Sequence, residues 1–299
     1  MSALDRLRGS ITPLPTPFAA DGATVDEVAL RRLVEFQIAG GSHGVSCTGT
    51  TGEPTSLTLA EREGVIRIVV ETAAGRVPVL AGTGSNNTAE SVALTRYAVE
   101  IGADAVLVVA PYHVRPSQDG LFEHFRAVAS AVDVPVMLYN IPGRAGVNVA
   151  PETQRRVRQA CPNVFGVKEA NVDFAQVSRD LDVCGRDWRV FSGIETLCFP
   201  MLALGGAGHV SATGNVVPRE VAALYDLASA GRWDEARDLH FRLLALNEVL
   251  FIETNPGPVK FLLGEMGLCR PTVRLPLAPP APASATRICE VARAYGLLA

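Results

Sequence analysis

Lysine is nearly absent from this 299-residue chain: of its 27 basic side chains only Lys168 and Lys260 are lysines, so arginine carries the positive surface. Other things are missing too. No apolar run is long enough to cross a bilayer, which argues against a membrane partner. The opening MSALDRLRGS has no apolar core of the kind a secretory leader carries. Six cysteines, at 47, 161, 184, 198, 269 and 289, form no C-x-x-C pair, and they read as reduced thiols of a cytoplasmic protein. The five histidines have no metal-ligand spacing, so no metal site and no dissociable cofactor is expected. With a net charge of −4 and no basic cluster, nucleic acid is not expected as a partner. What remains, 48% hydrophobic and 19% charged residues, is the balance of a well-packed globular chain. Its length allows two ordinary domains or one large barrel.

Short apolar, β-branched runs recur along the first two-thirds: GSITPLPTPF, HGVSCTG, VPVLAGTG, DAVLVVAPY, VPVMLYNIP, NVFGVKEA, WRVFSGIE and GHVSATGN. Helical periodicity fills the gaps. TLAEREGVIRIVVETAAG opens on a Thr58-x-x-Glu61 capping box and closes at Gly75, and Asn87 or Thr88 can cap the next helix. Eight strands alternating with helices predict a parallel α/β architecture. A closed (β/α)₈ TIM barrel fits better than an open doubly wound sheet, because the unit count is eight and no G-x-G-x-x-G turn follows the first strand. The barrel is expected over residues 1–216, with 217–299 a helical extension packed on it and the proline-rich RLPLAPPAPASA a loop into the last helix.

A barrel places its active site at the C-terminal ends of its strands. Those ends carry Thr50 and Thr51, Gly84, Tyr112, Tyr139, Lys168, Ser192-Gly193 and Val210. Lys168 closes the apolar run NVFGVK, and lysine is rarely buried unless it is paired or has chemistry to do. An amine in apolar surroundings is desolvated, which makes the neutral nucleophile available near pH 7. It can condense with a ketone to a protonated imine, an electron sink that lets the adjacent carbon lose a proton. Tyr139 is the candidate acid-base group, relayed through hydroxyls such as that of Thr51. From position alone Lys168 could equally pair with Glu169, the tyrosines could be core aromatics, and Lys260, after NPGPV, reads as solvated or ion-paired. AGTGSNNTAE matches neither phosphate-binding pattern. Cys47 has no histidine partner in view and reads as a small buried residue.

Taken in order, GTTGE, AGTGSN, PYHVRPSQDGLFEHF, YNIPGRAG, GVKEA, SG, LALGGAGHVS and LFIETNPGPVKFLL run over nearly the whole chain. This set resembles the dihydrodipicolinate synthase and N-acetylneuraminate lyase family of Schiff-base-forming barrels. The resemblance implies that Lys168 forms the imine with pyruvate or another 2-oxo acid, that Tyr139 is the acid-base residue above it, and that Thr50 and Thr51 bind the carboxylate and relay protons. It also implies that Gly193 and Val210 face the bound 2-oxo acid, and that the protein assembles as a homotetramer, a dimer of dimers. Arg144, in YNIPGRAG, matches the synthase branch, where an arginine grips the carboxylate of L-aspartate 4-semialdehyde. That points to condensation with this aldehyde in lysine and diaminopimelate synthesis. The alternatives are a catabolic pyruvate-dependent aldolase or dehydratase acting on a hydroxy-2-oxo acid, and an idle barrel that senses oxo acids. The retained Lys168, Tyr139 and threonine pair weigh against the last. Two departures stand out. The synthase pattern has a second tyrosine after Tyr112, reaching into the neighbouring subunit to complete a relay, and here it is His113. At the family's feedback site for lysine, Asn86, Glu90 and Tyr112 fit, whereas Pro54, Leu59 and Arg62 replace polar and histidine positions.

Overall fold

Eight short strands close on themselves in sequence order, all parallel: β1 (Gly9–Pro13), β2 (Gly44–Cys47), β3 (Val79–Gly82), β4 (Ala105–Val109), β5 (Val136–Asn140), β6 (Val164–Glu169), β7 (Arg189–Ser192) and β8 (Gly208–His209), with β8 returning to β1. The computed structural model describes residues 3–299. Nearly every strand residue is buried, which is why the strands read as continuous apolar runs rather than alternating ones: helices cover one face and the barrel interior the other. Ile11, Leu80, Leu107, Met137, Phe165 and Phe191 fill that interior, with Leu4 and Leu7 of the N-terminal segment packed against them.

Around the strands run α1 (Ala3–Arg6, before β1), α2 (Glu27–Ala39), α3 (Leu59–Ala73), α4 (Thr88–Glu100), α5 (Gln118–Ala129), the single turn α6 (Pro142–Ala145), α7 (Pro151–Ala160), α8 (Phe174–Cys184), α9 (Cys198–Ala203) and, after β8, α10 (Pro218–Ser229). The expected capping box forms on α3, with Thr58 Oγ1 accepting from Glu61 N and Glu61 Oε2 from Thr58 N, and Asn87 caps α4. Then come α11 (Trp233–Val249), α12 (Gly257–Glu265) and α13 (Pro282–Tyr295), which pack on one another. Helix α10 packs on β1 and α9 as the eighth member of the outer ring. We therefore place the start of the extension after α10 rather than at residue 217.

One irregularity aims the strand ends. Val136 pairs with Val164 but Met137 with Gly166, so Phe165 is an extra residue in β6. The bulge re-phases the strand, and Phe165 and Lys168, three positions apart, both face the interior. Only glycine fits at 166, since a Cβ there would lie 2.1 Å from Arg189 O.

Candidate active site

Strand register sets the centre of the mouth: Tyr139 on β5 lies directly beside Lys168 on β6. Lys168 is 5% exposed, and its Nζ sits 4.2 Å from the centroid of the Tyr139 ring. The Tyr139 hydroxyl is 3.4 Å from Thr50 Oγ1. Thr50 opens a single 3₁₀ turn, Thr50–Gly52, at the end of β2, and the turn separates the two threonines. Thr51 is buried and accepts instead from Asn255 Nδ2 at 3.0 Å. Of the two threonines it is Thr50 whose hydroxyl lies beside Tyr139, because the tight turn sends consecutive side chains to different neighbours.

A cavity of 380 Å³ opens above this group, with Thr50, Tyr112, Tyr139, Arg144 and Arg62 on its wall. Lys168 and Val210 are not on that wall and are nearly buried. Gly193 follows β7 where a Cβ would come within 3.0 Å of Lys168 Cε, so the absent side chain leaves the amine its room. Arg144, on α6, is exposed at the mouth, and among the described residues the one hydrogen-bond partner of its side chain is Asn255 O at 3.3 Å. A guanidinium with most of its donors free is suited to a carboxylate. His113 is exposed with a left-handed backbone (φ 72°), which histidine tolerates better than most residues. Its backbone N–H donates to Ala145 O at 3.3 Å, and its ring makes no bond to Thr50, Tyr139 or Lys168 within the chain.

Two site residues escaped the sequence reading. Asn255 bridges Thr51 and Arg144 from the extension, and its signal was an Asn-Pro step interrupting an otherwise helical stretch. Glu195, just past β7, is buried; burial raises its pKa, while the Ala212 N–H at 2.7 Å and the Lys168 charge work the other way. Lys260 is fully buried rather than solvated. Its Nζ lies 2.6 Å from Glu53 Oε1, 2.8 Å from Thr16 O and 4.1 Å from the centroid of the Phe18 ring. Cys47 is buried, and burial pushes its thiol up to about 12, so it stays neutral. No group of three or more potential metal ligands occurs among the described residues, and no helix there is long and apolar enough to cross a membrane.

Known proteins resemble this chain over nearly their whole length. A 4-hydroxy-tetrahydrodipicolinate synthase of Pelobacter propionicus is 49% identical over 291 residues, covering 97% of this chain and 99% of its own. The dihydrodipicolinate synthase of Aquifex aeolicus superposes with a TM-score of 0.95 at 43% identity, over 97% of this chain and 99% of that one. The enzyme of Acinetobacter baumannii, solved in complex with pyruvate, gives 0.95 at 37% identity over 98% and 100%. The dihydrodipicolinate synthetase family model matches residues 6–293, and with the barrel, the strand-end lysine and the tyrosine beside it in place, the chain belongs to that family.

Proposed function

We propose that this protein is a 4-hydroxy-tetrahydrodipicolinate synthase, joining pyruvate to L-aspartate 4-semialdehyde through an imine on Lys168. The observation that carries the reading is the buried Lys168 amine against the Tyr139 ring, with Thr50 on the tyrosine's hydroxyl. The amine attacks the pyruvate ketone; water leaves and an iminium forms. The iminium draws electrons, so a methyl proton departs and the resulting enamine carbon attacks the aldehyde. Proton movements at the carbinolamine and at the new alkoxide fall to the Tyr139 hydroxyl, exchanging with Thr50. Thr51, fixed by Asn255, supports binding of the pyruvate carboxylate, with Gly193 and Val210 beside the 2-oxo acid and Tyr112 in the cavity wall. The His113 ring has no hydrogen-bond partner among the described residues of its own chain. A homotetramer built of dimers, in the cytoplasm, would let it meet a neighbour's site.

Borohydride added with pyruvate should leave a reduced three-carbon adduct on Lys168, mapped by peptide mass. An adduct on Lys260, or none, would sink the imine. Arg144 belongs to the second substrate: loss of a charge-assisted bidentate contact costs about 1.5–3 kcal/mol. Arg144→Ala should therefore lower kcat/KM for the semialdehyde roughly tenfold or more while leaving the pyruvate adduct intact. Cleavage of a hydroxy-2-oxo acid without any semialdehyde condensation would transfer the assignment to an aldolase.

L-Lysine should not inhibit at metabolic concentrations. Arg62 lies on the cavity wall with Pro54 and Tyr112, half-buried, its Nη2 on Gly84 O at 3.3 Å. A guanidinium there repels a cationic ligand, and the Pro54 side chain offers no acceptor for its ammonium. Half-inhibition below about 1 mM, equivalent to about 4 kcal/mol of binding, would refute this.

A further inference from the structure

Behind the Lys168–Tyr139 pair lies a buried polar cluster that the reaction does not touch. One residue further along the same two strands, Asn140 and Glu169 are again register partners, both fully buried. Glu169 is surrounded by donors: Asn140 Nδ2 at 3.0 Å from each oxygen, the Asn171 N–H at 2.9 Å and Gln176 Nε2 at 3.3 Å. Against it stands a second carboxyl, Asp180 of α8, also fully buried. Asp180 Oδ1 accepts from Gln154 Nε2 of α7 at 3.0 Å, but Oδ2 finds no donor. Two carboxylates are both acceptors and cannot bond each other; one proton makes the pair compatible. Glu169 already has its donors, so the proton belongs on Asp180.

No cation enters the cluster to neutralise it instead. Arg179 of α8 is exposed and held by Asp173 at 3.1 Å. From α7, Arg158 is committed to Asp187 and Cys184 O, and Arg155 pairs with Glu152 at 2.8 Å on the surface. The Cys184 thiol, raised to about 12 by burial, is neutral. Lys168 lies across the strand on the barrel side.

We propose that Asp180 is a positioning residue for the reaction: as a neutral acid it donates to Glu169, and the Asn140–Glu169 clamp so braced holds the ends of β5 and β6 in the register that sets Lys168 against Tyr139. The role goes beyond the imine chemistry proposed above and rests on Lys168 being its amine. Burial, then the Glu169 charge, raises the Asp180 carboxyl far above the usual range, and burial raises Glu169 by less. The sign follows. A raised acid contributes its stabilisation in full below 3.8, and that contribution is lost as pH climbs through the raised value, where two carboxylates would face each other without a proton.

Asp180→Asn keeps a neutral donor at every pH. The rate of borohydride-trapped pyruvate adduct is measured for the variant and the wild type across pH 7 to 9.5, and their ratio cancels the titration of the amine itself. The ratio should rise by about threefold or more over that range, as the wild type ionises and the variant does not. A merely structural role would move the ratio equally at all pH, and a flat ratio overturns the proposal. Infrared spectroscopy of the wild type gives a second test, independent of whether the variant folds. A buried protonated carboxyl band should bleach as pH rises over the same range, and its absence also overturns the proposal. Should the wild type trap no pyruvate, the Lys168 reading fails on its own, and the band still decides the state of the carboxyl pair.

Discussion

Lys168→Arg is expected to yield no borohydride-trapped pyruvate adduct and to lower turnover by a factor on the order of 10³ or more, the scale on which enzymes feel the loss of a covalent nucleophile. Arginine keeps the positive charge and much of the length, so a purely electrostatic role for Lys168 would survive the exchange. A guanidinium, however, stays protonated and cannot attack a ketone. The room around the amine is also tight, with Gly193 leaving only the space a Cβ would take near Lys168 Cε. Intact-mass spectra after reduction decide the matter: an adduct retained on the arginine variant would mean that another nucleophile carries the imine. Tyr139 stays in place in this variant, which makes the comparison specific to the amine.

Much of this was legible beforehand because parallel strands buried on both faces announce themselves as apolar runs. Once eight of them alternate with helices, the strand ends name the mouth. Lys168 stood out there by its rarity and by interrupting apolar sequence. What sequence could not supply was the choice between neighbours. Thr50 and Thr51 are chemically alike, and only the 3₁₀ turn sends one to Tyr139 and the other to Asn255. Asn255 contacts a residue 204 positions away, a distance no local pattern encodes. The same limit applied to Glu169, which from position alone was as good an ion partner for Lys168 as any. Alternation along β6 puts the two on opposite faces, so the carboxyl answers to Asn140 and Asp180 instead. Helix α10 was read with the extension because a helix after the last strand looks the same from sequence whether it completes the ring or leaves it.

Lys260→Met should destabilise the fold by about 3–5 kcal/mol, the usual cost of removing one partner from a buried ion pair. Both side chains of the Lys260–Glu53 pair are inaccessible to solvent, so the orphaned carboxylate would have no water to turn to. It would keep only the Arg274 N–H at 3.2 Å. A loss of that size corresponds to a fall in Tm of roughly 5–15 °C in a chain this long. The pair also matters to the site. Glu53 holds a left-handed backbone (φ 55°) immediately after the turn carrying Thr50 and Thr51, and Lys260 lies on α12 five residues past Asn255. The ion pair therefore ties the hydroxyl turn of the barrel to the extension that supplies Asn255, and turnover should fall along with stability. Replacing both partners with apolar residues, Glu53→Leu with Lys260→Met, should recover a large part of the stability, since a buried pair exchanged for packed hydrocarbon is often neutral. It should not recover turnover to the same degree, because leucine at 53 relinquishes the bond to Arg274 and bears the left-handed conformation poorly. Through all of this the pyruvate adduct must stay on Lys168. A Lys260→Met protein that is folded by circular dichroism yet traps no pyruvate would show that the chain's two lysines had been given each other's roles.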